Sequence, residues 1–202
     1  MVSETLQSYY PDESSIAVKN GLIIVGSDFH IWPGEESTCL RAFKLLCKEL
    51  KPAAVILNGD VLDFPQISRH PPMGWEKIPS PQEEIEAAQY HLHDIEQAAP
   101  KGCKKAWTLG NHDFRFEQRL ATIAREYKGV KGIHLSDHFN PCWQKCWGIR
   151  INDNMAKSDA MIVAMMDTWE ISKGIRHEIE TFVDAGKPVF YLDPRGLSIV
   201  RT

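Results

Sequence analysis

Leu22-Ile23-Ile24-Val25-Gly26-Ser27-Asp28-Phe29-His30 is an apolar run that breaks at a glycine and then delivers an aspartate and a histidine. A short continuous apolar run of this kind is the pattern of a buried strand in a parallel sheet. The arrangement recurs twice. Ala53-Ala54-Val55-Ile56-Leu57 closes on Asn58-Gly59-Asp60, and Ala106-Trp107-Thr108-Leu109 closes on Gly110-Asn111-His112-Asp113. Helical spacing fills the intervals. Leu40, Phe43, Cys47 and Leu50 share one face before Lys51-Pro52 stops the helix. Ile85, Ala88, Leu92, Ile95 and Ala99 do so over residues 82–99, and Phe116, Leu120, Ile123 and Tyr127 over 114–127. Alternation of strand and helix predicts an α/β fold, a layered sandwich with a mainly parallel sheet flanked by helices.

Residues 1–20 read as a loose arm. Phe64 to Pro81 holds five prolines and no periodicity, a surface loop longer than most connections. Trp75 and Met73 within it could contact a substrate, although anchoring by one buried aromatic is the commoner use of such a residue. After about residue 153 one more βαβ unit follows: a strand over 159–165, a helix over 172–185 and a last strand over 188–192.

The composition is that of an ordinary globular chain: 202 residues, 43% hydrophobic, 25% charged, with a net charge of −4. That charge argues against a surface devoted to nucleic-acid backbone, yet it does not exclude a phosphate substrate, because bound divalent ions add local positive charge. Five cysteines without paired zinc-ribbon spacing fit free thiols in a reducing compartment; Cys142 and Cys146 form the one CxxxC. The opening residues carry neither a basic nor an apolar leader segment, and no apolar run approaches the ~20 residues of a membrane helix. A cytoplasmic location without a membrane role is expected, and no protein partner can be inferred.

The three polar clusters each follow a strand. In an open parallel sheet, ligands bind outside the carboxyl ends of the strands, so groups far apart in sequence converge on one edge. Taken singly, an aspartate after a strand is often a helix cap, and a lone histidine is usually a satisfied surface or core group. Three such motifs at consecutive strand ends favour one shared site. Carboxylate, imidazole and amide oxygen suit hard or borderline divalent metals, and a carboxylate such as Asp60 can bridge two ions ~3.5–4 Å apart.

In these motifs the chain resembles the calcineurin-like metallophosphoesterases, whose D-x-H, G-D-x-x and G-N-H-[DE] segments match Asp28-Phe29-His30, Gly59-Asp60-Val61-Leu62 and Gly110-Asn111-His112-Asp113. The resemblance spans about residues 20–153 and covers the amino-terminal half of the family, a partial domain over 21–153. Between Asp60 and Gly110 the chain is longer than the common family spacing, a surplus the proline-rich loop accounts for. The resemblance implies that Asp28 and His30 hold a first metal, that Asp60 bridges and that Asn111 binds a second. It implies two divalent ions of the Mn, Fe, Zn or Ni class. His112 would stabilise the transition state and protonate the leaving oxygen, with Asp113 orienting its ring, as a metal-activated hydroxide attacks a phosphate mono- or diester. The substrate class would extend to nucleotides or nucleic acid. Complete members continue with a further His and a G-H-x-H segment that finish both metal shells. The later histidines here, His134, His138 and His177, do not lie in such a context, so the second site is expected to bind weakly.

Residues 154–202 are similar instead to the carboxyl-terminal half of nucleoside 2-deoxyribosyltransferase-like proteins. The shared pattern is an Asp, an apolar strand, S-x-G-x-x-x-E, a helix and G-K-P-V, mapping to Asp159, Ser172, Gly174, Glu178 and Gly186-Lys187-Pro188-Val189. That resemblance implies a nucleophilic Glu178 and an acidic Asp159 near the base, hence cleavage or transfer of an N-glycosidic bond. The plainer use makes Ser172 a helix cap and Gly186-Lys187-Pro188 a helix stop. The last βαβ unit is expected to extend the sheet begun by the first three strands. Three readings follow: a phosphoesterase, an N-glycosidic enzyme acting through Glu178, and a non-catalytic metal- or nucleotide-binding product of a fusion.

Overall fold

The computed structural model describes residues 16–70, 74, 77–147, 158–165, 169–193, 196 and 198–201. The chain divides into two compact units, Met1–Glu36 with Phe43–Ile149, and Ser37–Ala42 with Arg150–Thr202. Most of the amino-terminal arm, the junction near residue 153, Met73 and Trp75 lie outside the described residues.

The first unit is built on a four-stranded, all-parallel sheet of β1 (Ile23–Gly26), β2 (Ala54–Asn58), β3 (Lys104–Leu109) and β4 (Trp143–Trp147), in that spatial order. Three helices alternate with these strands in sequence: α1 (Thr38–Leu50), which belongs to this unit from Phe43 onward, α2 (Pro81–Ala98) and α3 (Phe114–Ile123). Ala54, Val55 and Leu57 of β2 are fully buried, as a central parallel strand between helices should be. So is Trp107 of β3. Removing an indole of its size from water contributes roughly 4–6 kcal/mol at about 25 cal/mol per Å², before the entropy of ordering it. From α2, Ile85, Ala88, Leu92 and Ile95 are buried, the face read from periodicity. The helix starts where Ser80 accepts from Glu83 N and Glu83 reaches back to Ser80 N, with Pro81 in its first turn.

Several expectations are corrected. β1 is an edge strand, with Ile23 44% and Val25 38% exposed, because it pairs on one side only within this sheet. In α3 the buried residues are Phe114 and Glu117, while Ile123 is 60% exposed and the helix ends there. The expected face fails because the Glu117 carboxylate faces inward, accepting from Leu135 N at 2.8 Å and pairing with His134 Nδ1 at 2.9 Å. β4 has no counterpart among the strands expected from the sequence. All five cysteines are free thiols.

The second unit carries a separate sheet of β5 (Met161–Ala164), β6 (Val189–Asp193) and β7 (Ser198–Arg201), with β5 and β6 parallel and β7 antiparallel to β6. The expected single sheet is therefore replaced by two. Between β5 and β6, α4 (Lys173–Asp184) packs Phe182 against Val163 and Val189, with Ile175, Ile179, Trp169 and Tyr191 around them. Ser172 caps α4 by accepting from Ile175 N. The helix closes on Gly186 at φ 67, where Lys187 N bonds Phe182 O and Gly186 N bonds Val183 O, both at 2.9 Å. This paired closure requires the left-handed conformation that glycine adopts without penalty.

Among the described residues no helix is long and apolar enough to cross a membrane.

Candidate functional site

The turns after β1, β2 and β3 meet at the carboxyl edge of the first sheet, and backbone pairing continues past the strand ends. Asp28 N bonds Gly59 O at 3.1 Å, His30 N bonds Asp60 O at 3.0 Å, and Ile31 N bonds Val61 O at 2.9 Å. Within this zipper Asp28, His30 and Asp60 hold φ of 56°, 40° and 50°, and Phe64 follows at 52°. A side chain in the left-handed region costs on the order of 1–3 kcal/mol. The flanking hydrogen bonds, about 1 kcal/mol each, offset part of that cost, and strain of this kind concentrates at functional sites.

The strained turns bring together one ligating atom each from Asp28, His30 and Asp60, all within 4.8 Å of one another. The third turn closes on them. His112 N donates to Asp60 Oδ1 at 2.9 Å. A Cβ on Gly110 would overlap the Asp60 carboxylate, reaching 2.8 Å from its Cγ, so only glycine permits this approach. Asn111 is exposed in the same turn, one residue from the Asp60 contact.

Asp63, absent from the expected set, is the hub of a second cluster. His30, Asp63 and His112 also place ligating atoms within 4.8 Å. His112 Nδ1 lies 2.5 Å from Asp63 Oδ1, and His30 Nδ1 lies 3.4 Å from the same oxygen. The Asp63 carboxyl is held down to about 2, first by the hydrogen bond from His30 and then, against the effect of burial, by that from His112. His30 is raised above its ordinary value, chiefly by the same hydrogen bond, with burial opposing. Arg115 completes the group, donating to Asp63 O at 2.6 Å and facing His112 Nε2 at 3.3 Å.

Asp113 does not orient His112; Asp63 takes that place. The Asp113 carboxylate is fully buried, with Oδ1 accepting from Leu62 N at 2.9 Å and Oδ2 from Gly110 N at 2.9 Å and Trp107 Nε1 at 3.2 Å. It ties the second and third turns to β3. Burial pushes its pKa up to about 7, with the Leu62 and Gly110 amides opposing. Glu84 of α2 is also fully buried, accepting from Phe64 N at 2.8 Å and Asp63 N at 3.2 Å.

The later histidines stand elsewhere. His134 spends Nδ1 on Glu117 and accepts from Gly129 N at Nε2, 3.0 Å away. His138 rests edge-on against the Phe116 ring, and His177 is exposed on α4. Asp159 is exposed before the amino end of β5, and Glu178 is half-buried midway along α4. Among the described residues neither enters a cluster of three ligating side chains.

The donor set of Asp28, His30 and Asp60 fits a divalent metal: two carboxylates and an imidazole from rigid strand ends, close enough to share one ion.

A family model described as a domain of unknown function (DUF1937) matches residues 132–193, a span that takes in β4, β5, α4 and β6. No curated protein and no solved structure matches the chain.

Proposed function

We propose that the first unit is a metal-dependent phosphoesterase, hydrolysing a phosphate mono- or diester at the carboxyl edge of its sheet. The observation that carries this reading is the convergence of Asp28, His30 and Asp60 from two separate strand ends onto a common point. The order of the motifs, and their resemblance to the calcineurin-like metallophosphoesterases, supports the same reading.

Asp28, His30 and Asp60 would hold the first divalent ion, and Asp60 with Asn111 would contribute to a second. Such ions supply Lewis acidity toward phosphoryl oxygens and make water acidic enough to attack near neutral pH. The chain's own groups supply the rest. Asp63 is ionised at neutral pH and accepts from His112 Nδ1, so Nε2 is turned toward Arg115. When Nε2 also carries a proton, His112 can hand that proton to a leaving oxygen and return to the neutral imidazole, a role worth about 10²–10⁴-fold in rate. The Arg115 guanidinium, facing His112 Nε2 at 3.3 Å, marks where an anionic oxygen would be received.

The test is release of p-nitrophenol from bis(p-nitrophenyl) phosphate and from p-nitrophenyl phosphate, with manganese in excess. Manganese-dependent turnover abolished by Asp60→Ala and His112→Ala is expected. Turnover that survives both substitutions, or none with either ester, rejects the proposal.

A further inference from the structure

Glu84 is a fully buried carboxylate on the face of α2 that otherwise presents Ile85, Ala88, Leu92 and Ile95 to the core. Its Oε1 has no hydrogen-bond partner among the described residues, while Oε2 accepts two backbone amides. A carboxyl group in such a place costs several kcal/mol that an alanine or leucine would not. The expense secures the peptides on both sides of Asp63.

We propose that Glu84 is a positioning residue, which holds Asp63 so that its carboxylate meets His112. The inference rests on the reading of Asp63 and His112 as a working pair. Phe64 at φ 52° is left-handed, so the chain turns sharply after Asp63 and the amides of residues 63 and 64 face the base of α2 instead of a neighbouring strand. Without an acceptor there, two inward-facing donors would be unpaired, at about 1–3 kcal/mol each. Arg115 donates to the carbonyl of Asp63 at 2.6 Å. With amide and carbonyl both held, only side-chain rotation is left for Asp63. Glu84 itself enters neither ligand cluster.

Glu84 also sits in the first turns of the helix that follows the proline-rich loop, with its own N–H bonded to Ser80 O at 3.1 Å. The Glu84 side chain therefore ties the start of the loop at Asp63 and Phe64 to the first turn of α2, where the loop ends.

The test uses the proton bridging His112 and Asp63 as a reporter independent of turnover. Proton NMR of the full chain should show a low-field resonance that Asp63→Asn and His112→Gln both remove. Glu84→Gln keeps an oxygen able to accept both amides, and should retain the resonance. Glu84→Ala, with its near-ultraviolet circular dichroism intact, should lose it and lower kcat about 100-fold, the size of effect of a misplaced catalytic group, with KM little changed. If Glu84→Ala does not fold, Glu84→Asp, which withdraws the carboxylate by one methylene, is read in the same way. A resonance unchanged in the folded variant overturns the proposal, as does its absence from the wild type. If the resonances behave as expected but neither ester is hydrolysed, the phosphoesterase reading fails while the positioning role stands.

Discussion

His112 Nδ1 sits 2.5 Å from Asp63 Oδ1, so the imidazole is held by one nitrogen while the other faces Arg115 at 3.3 Å. The carboxyl partner, held down to about 2, is ionised throughout the neutral range and keeps a proton on Nδ1. Asp63→Asn should lower kcat between about 10² and 10⁴-fold, because an amide no longer fixes the tautomer. Adding His112→Ala to it should cost little more, since two residues acting as one unit are not additive. Steady-state kinetics of the two single variants and the double variant check this.

Gly110 is the point of closest approach between the third turn and Asp60. Gly110→Ala should displace the Asp60 carboxylate and abolish stoichiometric manganese binding in equilibrium dialysis. Since the overlap is with backbone as well as side chain, a loss of stability should accompany it, read as a lower urea midpoint.

Asp113 serves three buried donors: two backbone amides and the Trp107 indole. Asp113→Ala leaves all three unpaired, at about 1–3 kcal/mol each, and should be among the most destabilising single changes in the first unit. Asp113→Asn turns an NH₂ toward one of those donors and should fall between wild type and alanine. Equilibrium unfolding in urea orders the three proteins.

Lys44 Nζ meets His91 Nδ1 at 2.8 Å, Asp94 at 2.6 Å and Glu36 at 2.8 Å. Burial first, and the Lys44 ammonium second, depress His91 below its ordinary 6.5, with Glu36 and Asp94 opposing. A depressed value means that the unfolded chain binds the proton more tightly. His91 therefore contributes stability that is complete above pH 6.5 and is lost as pH falls through its lower folded value. The urea midpoint of the wild type should drop between pH 7 and pH 5 by more than that of His91→Gln.

Much of the first unit was legible because β2 and β3 are central strands with apolar runs, and their turns carry the polar groups directly. The edges were not. Ile23 and Val25 are apolar without being buried, so composition overstated the enclosure of β1. Gln144 and Lys145 interrupt Trp143-Gln144-Lys145-Cys146-Trp147, so this edge strand lacks the continuous apolar run that marks the central ones. Short β7 offered little more than two apolar residues, Ile199 and Val200.

At the site, Asp28, His30, Asp60 and His112 were found through their positions after strands. Asp63 was missed because the second motif was read only as far as Leu62, although an aspartate three residues beyond Asp60 was in view. Glu84 had a fainter signal: a carboxylate four residues before Ala88, on the apolar face of a helix. The roles of Asp63 and Asp113 were not separable from sequence, since both are acids near His112 and only backbone direction decides which one reaches its ring.

The central claim is that Asp28, His30 and Asp60 form a divalent metal site, and calorimetric titration of metal-free protein with manganese tests it most directly. The wild type should take up at least one ion per chain, while Asp60→Ala and His30→Ala, each checked for folding by circular dichroism, should show no saturable uptake. A wild type that binds no ion, or folded variants that bind as the wild type does, would contradict it.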